Sequence, residues 1–177
     1  MEKPLKDIMT YDQAHYFGFN DKIVLGGVIT DLTESSNPKE SEKQYIHQKS
    51  SNNKITGFAN EFPLTMDMVK GDEVFEYMYE LFYRRKVSPD IDIDHYIVDL
   101  WREVEGKQNT YYARKIRQMT SITECNGAAG EQKQIAGSLK GGEFIYGEFN
   151  VATKTFTEET TSEVAPASIS AKSTSSK

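Results

Sequence analysis

Several features that common protein classes depend on are scarce or missing in this chain of 177 residues. Cys125 is its single cysteine, which excludes an internal disulfide framework and favours a protein made in a reducing cytoplasm. No run approaches the ~18 apolar residues of a membrane-spanning helix. The N-terminal stretch MEKPLKDIMTYDQ has no apolar h-region. The sequence therefore predicts no disulfide, no membrane span and no signal peptide.

An excess of basic charge is also missing, since 21 Lys and Arg stand against 27 Asp and Glu and the formal net charge is -6. A nucleic-acid-binding domain would instead show a cationic patch or stripe. One basic cluster, Arg114, Lys115 and Arg117, alternates with Tyr111 and Tyr112. In an acidic protein such a cluster favours a solvated or subunit-facing strand over a nucleic-acid contact.

Catalytic signatures are missing as well. The three histidines, His15, His47 and His95, have no metal-ligand spacing, and Cys125 has no neighbouring base to activate its thiol. The glycine pairs at 26–27 and 141–142 do not form a phosphate-binding loop. The sequence predicts no catalytic residue, no cofactor and no metal site, and hence no enzyme.

One alternative from another functional class depends on Asp90, Asp92, Asp94 and His95. Three carboxylates at alternate positions resemble the beginning of a calcium loop. That loop also needs a glycine next and a glutamate six residues later, where this chain has His95 and Trp101. A solvated strand edge is favoured, with a metal-binding module or metal-dependent enzyme as the alternative.

What the chain does contain is organised around residues 54–101, which predict a strand, a helix and a second strand. Phe62, Leu64 and Met66 alternate with polar residues, the period of a strand with one buried face. Asp72 suits a helix N-cap, and Ser88-Pro89 ends the helix. The apolar stripe of the helix predicts its core-facing residues: Val74, Phe75, Met78, Leu81 and Phe82.

Short extended segments with Gly, Asn or Pro turns make up the rest. Residues 1–20 have no clear period and predict an N-terminal arm, and residues 31–40 predict a loop. Further strands are predicted at 22–30, bent at the glycine pair, in a hairpin of 42–50 with 54–60, and at 96–101, 111–124, 132–139, 143–149 and 154–157. The fold class predicted is mainly β with one α-helix, a β-sandwich or barrel.

Two segments depart from the pattern of an ordinary globular domain. Residues 158–177, EETTSEVAPASISAKSTSSK, contain almost no large apolar residue and predict a flexible tail after a single domain over 1–157. In the strand 111–124 the odd and the even positions are both mostly polar, whereas a half-buried strand should carry apolar residues on one face. The polar members of this strand are Tyr112, Arg114, Lys115, Arg117, Gln118, Thr120, Thr123 and Glu124.

Taken in order, residues 37–156 resemble the major tail (tail tube) proteins of long-tailed phages and prophages of Gram-positive bacteria. The resemblance lies in NPKESEKQYIHQKSSNNKITGF, KGDEVFEYMYELFYRRK, IVDLW and GEFNVATKTFTEE. It implies a β-sandwich or barrel with one flanking helix, which assembles in the host cytoplasm as hexameric rings stacked into the tail tube of a virion. It also implies a role for the strand 111–124, whose polar members would line the channel or meet a neighbouring subunit. It implies as partners the tape-measure, tail terminator and distal tail proteins, and double-stranded DNA that passes through the lumen without specific binding. The closer alternative is the tube of a contractile tail, a phage-derived bacteriocin or a secretion apparatus.

Overall fold

The computed structural model describes residues 7–43 and 52–159. Within this part of the chain there are eleven strands, one α-helix and a single 3-10 turn at Thr10–Asp12. The elements in chain order are β1 Gln13–Phe19, β2 Lys22–Leu25, β3 Ile29–Leu32, β4 Pro38–Lys43, β5 Asn52–Phe58, β6 Glu61–Asp67, α1 Glu73–Tyr83, β7 Asp92–Glu103, β8 Thr110–Asn126, β9 Gln134–Lys140, β10 Phe144–Asn150 and β11 Thr155–Glu158. The fold is mainly β with one helix, as the sequence predicts.

Nine of these strands form one antiparallel sheet, in which β8 is the branch point. The main path runs β2-β1-β7-β8-β9-β6-β3, and β10 pairs with both β8 and β11. The first half of β8, Thr110–Ile116, pairs with β10, whereas its second half, Met119–Asn126, pairs with β9. The two halves of β8 thus pair with different strands, β10 and β9, and belong to different parts of the sheet. The remaining strands, β4 and β5, form a separate two-stranded hairpin.

Two hydrophobic clusters lie on opposite faces of the central strands. The larger joins the sheet to α1 and contains Phe17, Phe62, Leu64, Met66, Val74, Phe75, Met78, Leu81, Ile93, Ile97, Ile116, Ile135 and Leu139. The smaller is covered by the β10–β11 hairpin and contains Tyr16, Tyr96, Val98, Ala113 and Phe149. Strands β1, β7 and β8 contribute to both clusters, because alternate side chains point to opposite faces.

The helix begins where its sequence predicts but ends earlier, at Tyr83 rather than at Ser88-Pro89, because Arg85 adopts a left-handed φ of +49° just after the C-cap Arg84. The carboxylate of Asp72 accepts a hydrogen bond from the backbone N–H of Phe75 at 2.8 Å, as an N-cap does. The predicted core stripe faces the sheet: Val74, Phe75, Met78 and Leu81 are buried and Phe82 is half-buried.

Three predictions about the N-terminal half are wrong. Gln13–Phe19 is not an arm but the strand β1, paired with β2 and β7. Its pattern hides this because Tyr16 packs in one cluster and Phe17 in the other, so no apolar–polar alternation remains. The segment 22–30 is two strands, β2 and β3, separated at the glycine pair. Residues 31–40 are not all loop, since β3 and β4 occupy both ends.

The predicted hairpin is present but displaced toward the N-terminus, with Pro38 opposite Phe58 and Lys43 opposite Asn52. Most of the strand predicted at 42–50 lies outside the described residues, as does most of the tail predicted at 158–177. Within the described ranges, no helix has the length and apolar character that crossing a bilayer requires.

Candidate assembly surfaces

The strand β8 carries all the residues predicted to line a channel or meet a neighbouring subunit, but it does not present them all outward. Tyr112, Arg117, Thr123 and Glu124 are exposed, and Arg114 and Lys115 are half-buried. Gln118 and Thr120 are only 1% and 3% exposed. These last two side chains lie inside the subunit, so neither a lumen nor a neighbouring subunit reaches them in this structure.

Gln118 faces inward because the core contains a polar partner for it. Its Oε1 lies 3.0 Å from Nδ1 of His95, and Nε2 of His95 lies 3.0 Å from Nδ1 of His15. The ring of His95 also stacks on Phe17 at 4.9 Å between centroids and meets Phe62 edge-on at 5.1 Å. The face of β8 that carries Gln118 thus points into the subunit and takes part in a hydrogen-bonded network. It is not a second solvent-exposed surface.

Both histidines in this network are neutral near pH 7. Burial and, to a smaller extent, the adjacent His15 together lower the pKa of His95 to about 3. Burial also lowers the pKa of His15 to about 4, against an opposing effect from the nearby carboxylate of Glu34. Since an amide oxygen only accepts hydrogen bonds, Nδ1 of His95 carries its proton and Nε2 accepts from Nδ1–H of His15.

The basic residues of β8 are largely neutralised by their own subunit. Arg114 donates two hydrogen bonds to the carboxylate of Glu34, at 2.8 and 3.0 Å. Lys115 forms a 2.9 Å ion pair with Asp94. Arg117 is exposed and forms no salt bridge within the described residues. The strand therefore offers one unneutralised cation rather than the basic stripe that binding to phosphates would require.

The structure does not bring the four residues of the metal-binding alternative together in one site. Asp94 points to the opposite face of β7 from His95, which is fully buried, and pairs with Lys115. Asp92 accepts a hydrogen bond from Ser88, and Asp90 lies in the preceding turn. Across residues 7–43 and 52–159, no three His, Cys, Asp or Glu side chains are grouped to hold a metal ion.

Several large apolar side chains are exposed on the surface of the subunit. Phe58 on β5 and Tyr146 on β10 are 59% and 58% exposed. Tyr83 and Val87, at the C-terminal end of α1, are 69% and 72% exposed. Tyr77, by contrast, stacks on Phe19 with a 4.3 Å centroid separation and is half-buried. Interfaces between subunits are enriched in such aromatic side chains.

The large sheet also has unpaired edges. Among residues 7–43 and 52–159, strands β2, β3 and β11 are each paired on one side only. On the side of β8 that faces β7, strand pairing ends at Met119, so the rest of β8 pairs with β9 alone. An unpaired strand edge presents N–H and C=O groups that another chain can pair with.

Two solved structures share this fold. The SPP1 tail tube, solved by solid-state NMR and cryo-EM, has a TM-score of 0.63 and 16% identity, covering 79% of this chain and 78% of that chain. The tube-terminating cap of the anti-feeding prophage has a TM-score of 0.56 and 14% identity, covering 82% and 94%. At these identities the likeness establishes the fold. No family model and no curated protein matches the sequence.

Proposed function

We propose that this chain is a structural tail tube protein of a long-tailed phage or prophage of Gram-positive bacteria and has no enzymatic activity. The observation that carries the proposal is the shared fold with the SPP1 tail tube over about four fifths of both chains. The sequence phrases between residues 37 and 156 that resemble major tail proteins support it independently. In this proposal six copies form a ring, and rings stack into the tube of the virion.

The exposed part of β8 is the proposed contact surface of the subunit. Its outward side chains, Tyr112, Arg117, Thr123 and Glu124, would face the lumen or a neighbouring copy, with Arg114 and Lys115 at the border. The one-sided edges of β2, β3 and β11 would extend the sheet from one copy to the next.

The negative net charge of the chain is compatible with the passage of DNA through the lumen. A net charge of -6 disfavours phosphate binding, and each basic contact that is avoided removes affinity that would slow translocation. The tape-measure protein would occupy the lumen before DNA, and terminator and distal tail proteins would cap the two ends of the tube. Assembly would take place in the host cytoplasm.

Electron microscopy and analytical ultracentrifugation of the purified full chain test the proposal. We expect rings with sixfold symmetry, or tubes built from them. A protein that remains strictly monomeric up to high concentration, and that is missing from tail preparations of the host's induced prophage, would contradict it.

The likeness to the anti-feeding prophage cap supports a second candidate, the tube of a contractile tail, a bacteriocin or a secretion apparatus. The neighbouring genes separate the two candidates. A long helical tape-measure reading frame without a sheath gene supports the first, and an adjacent sheath gene supports the second.

A further inference from the structure

Within the described part of the subunit, the β4–β5 hairpin packs against little else: only Phe58, at its base, borders a hollow that it shares with Phe144 and Tyr146. Neither hydrophobic cluster contains a residue from it, and it belongs to a separate two-stranded sheet. An isolated two-stranded hairpin is marginally stable in water. A partner outside the subunit would supply the packing that the hairpin lacks.

The two faces of this hairpin differ in chemistry. The strand register places Glu40 opposite Ile55 and Pro38 opposite Phe58, so one face combines carboxylates with apolar groups. Glu42 lies on this same face, two residues beyond Glu40. All the charged and large apolar members of this face are exposed, with Ile55 at 54% and Phe58 at 59%. The opposite face carries basic residues instead, namely Lys39 and Lys54.

A surface of complementary character lies at the C-terminal end of α1. There a hollow of about 220 Å3 is lined by the apolar side chains of Phe82, Ile91 and Met119, with Arg85 and Lys86 beside them. Neither Arg85 nor Lys86 forms a salt bridge among the described residues. Since a 150 Å3 apolar cavity accepts benzene, this hollow is large enough for a phenyl ring.

We propose that the acidic–apolar face of the hairpin of one copy docks into this hollow on a second copy of the chain. Ile55, whose side chain is smaller than a phenyl ring, would enter the hollow, while Glu40 and Glu42 would meet Arg85 and Lys86. The contact is heterologous, because two different surfaces meet, and therefore propagates from copy to copy. The inference rests on the proposed function only in requiring that copies of the chain assemble.

Charge reversal tests the docking. Two variants, Glu40→Lys/Glu42→Lys and Arg85→Asp/Lys86→Glu, each place like charges at the contact. Aspartate is chosen at position 85 because Arg85 has a φ of +49°, which Asp tolerates better than Glu. We expect each variant to reduce the sedimenting assembled fraction about tenfold. Combining both pairs of substitutions in one chain restores attraction and should recover assembly.

The matched control is Lys39→Glu/Lys54→Glu, which reverses two charges on the other face of the same hairpin and should assemble as the unchanged chain does. Equal assembly by all variants would overturn the docking and leave the tail tube proposal intact. Failure of the unchanged chain to assemble would instead count against the tail tube proposal.

Cross-linking gives a second readout that does not require tubes. In a Cys125→Ser background, a chain with Ile55→Cys is mixed with a chain carrying Ser121→Cys, a residue that also lines the hollow. We expect a disulfide-linked heterodimer, and a much weaker one when Lys54→Cys replaces Ile55→Cys. Equal yields from the two mixtures, or no heterodimer in either, would overturn the proposal.

Discussion

At the scale of single residues, the chain His15–His95–Gln118 is the feature that most constrains the core. It places two imidazole rings and an amide among apolar side chains, each within 3.0 Å of the next. Only one proton can lie between Nδ1 of His15 and Nε2 of His95. A second proton there would set two N–H groups against each other in a site from which water is excluded.

Stability should therefore fall with acidification. The pKa values of His15 and His95 are about 4 and about 3 in the folded chain, against 6.5 when unfolded. Between pH 6.5 and these values the unfolded chain binds protons that the folded chain does not, so lowering the pH favours unfolding. We expect a loss of at most ~1.4 kcal/mol per pH unit per histidine.

Urea unfolding at pH 7, 6, 5 and 4.5 measures this dependence. His15→Gln keeps a side-chain donor but cannot gain a proton, so its free energy of unfolding should depend less steeply on pH. Carboxylates are the same in both chains, which makes the difference between the two slopes specific to the network. Parallel slopes would contradict the assignment.

Gln118 and Thr120 provide a matched pair, since both are buried polar residues on the same face of β8. Gln118→Leu leaves the Nδ1–H of His95 without an acceptor and should cost about 1–3 kcal/mol. The hydroxyl of Thr120 has no hydrogen-bond partner in the part of the chain that the structure describes, so Thr120→Val should be neutral or stabilising. Denaturant titration of the two variants checks this, and a larger loss for Thr120→Val would contradict the structure.

At the scale of elements, local sequence chemistry decides where the helix and the turns begin and end. The helix depends on a single capping side chain, and the β9–β10 turn depends on two consecutive glycines with positive φ. Each feature makes a separate contribution to the free energy of unfolding, which a single substitution can test.

Asp72→Ala removes the acceptor for the N–H of Phe75 and should lower the free energy of unfolding by about 0.5–2 kcal/mol. Asp72→Ser, which retains a capping oxygen, is the control and should recover most of the loss. Thermal unfolding followed by circular dichroism measures both variants. If Ala and Ser were equally destabilising, the loss would come from charge rather than from the cap.

Gly141 and Gly142 have nearly the same φ, +83° and +82°, but different surroundings. A Cβ at Gly141 meets nothing within 4 Å, so Gly141→Ala should cost only the ~1–2 kcal/mol of a left-handed residue. A Cβ at Gly142 would lie 2.1 Å from the carbonyl oxygen of Arg117. Gly142→Ala should therefore cost more by about 1–3 kcal/mol, measured by urea unfolding. Equal costs would mean that the close approach to β8 relaxes without penalty.

At the scale of the whole molecule, both hydrophobic clusters are built from residues within 13–156. The last eighteen residues, 160–177, contain almost no large apolar side chain. Deleting them should change the free energy of unfolding by less than about 0.5 kcal/mol. Chemical denaturation measures this, with the full chain as reference, and a loss of several kcal/mol would show that the segment belongs to the domain. Sedimentation of the same two proteins reports whether the segment affects assembly.

Sequence reasoning succeeded where one local period dominates. The stripe from Val74 to Leu81 and the alternation of Phe62, Leu64 and Met66 reach the core as predicted. It failed for β1, whose two faces are both covered, and for the inward face of β8. In each case a contact distant in sequence decides the environment: β7 lies against β1, and His95 donates a hydrogen bond to the side-chain oxygen of Gln118.

The amino-acid sequence by itself determined the mainly β class, the helix and its cap, and the resemblance to tail tube proteins, because these depend on local periodicity, capping chemistry and the order of elements. Only the tertiary structure decided which polar residues face outward, that Asp94 and His95 diverge, and that the described part of the β4–β5 hairpin belongs to neither hydrophobic cluster. Those outcomes depend on which distant strands become neighbours. A strand's own residues specify its two faces but not what comes to lie against each of them.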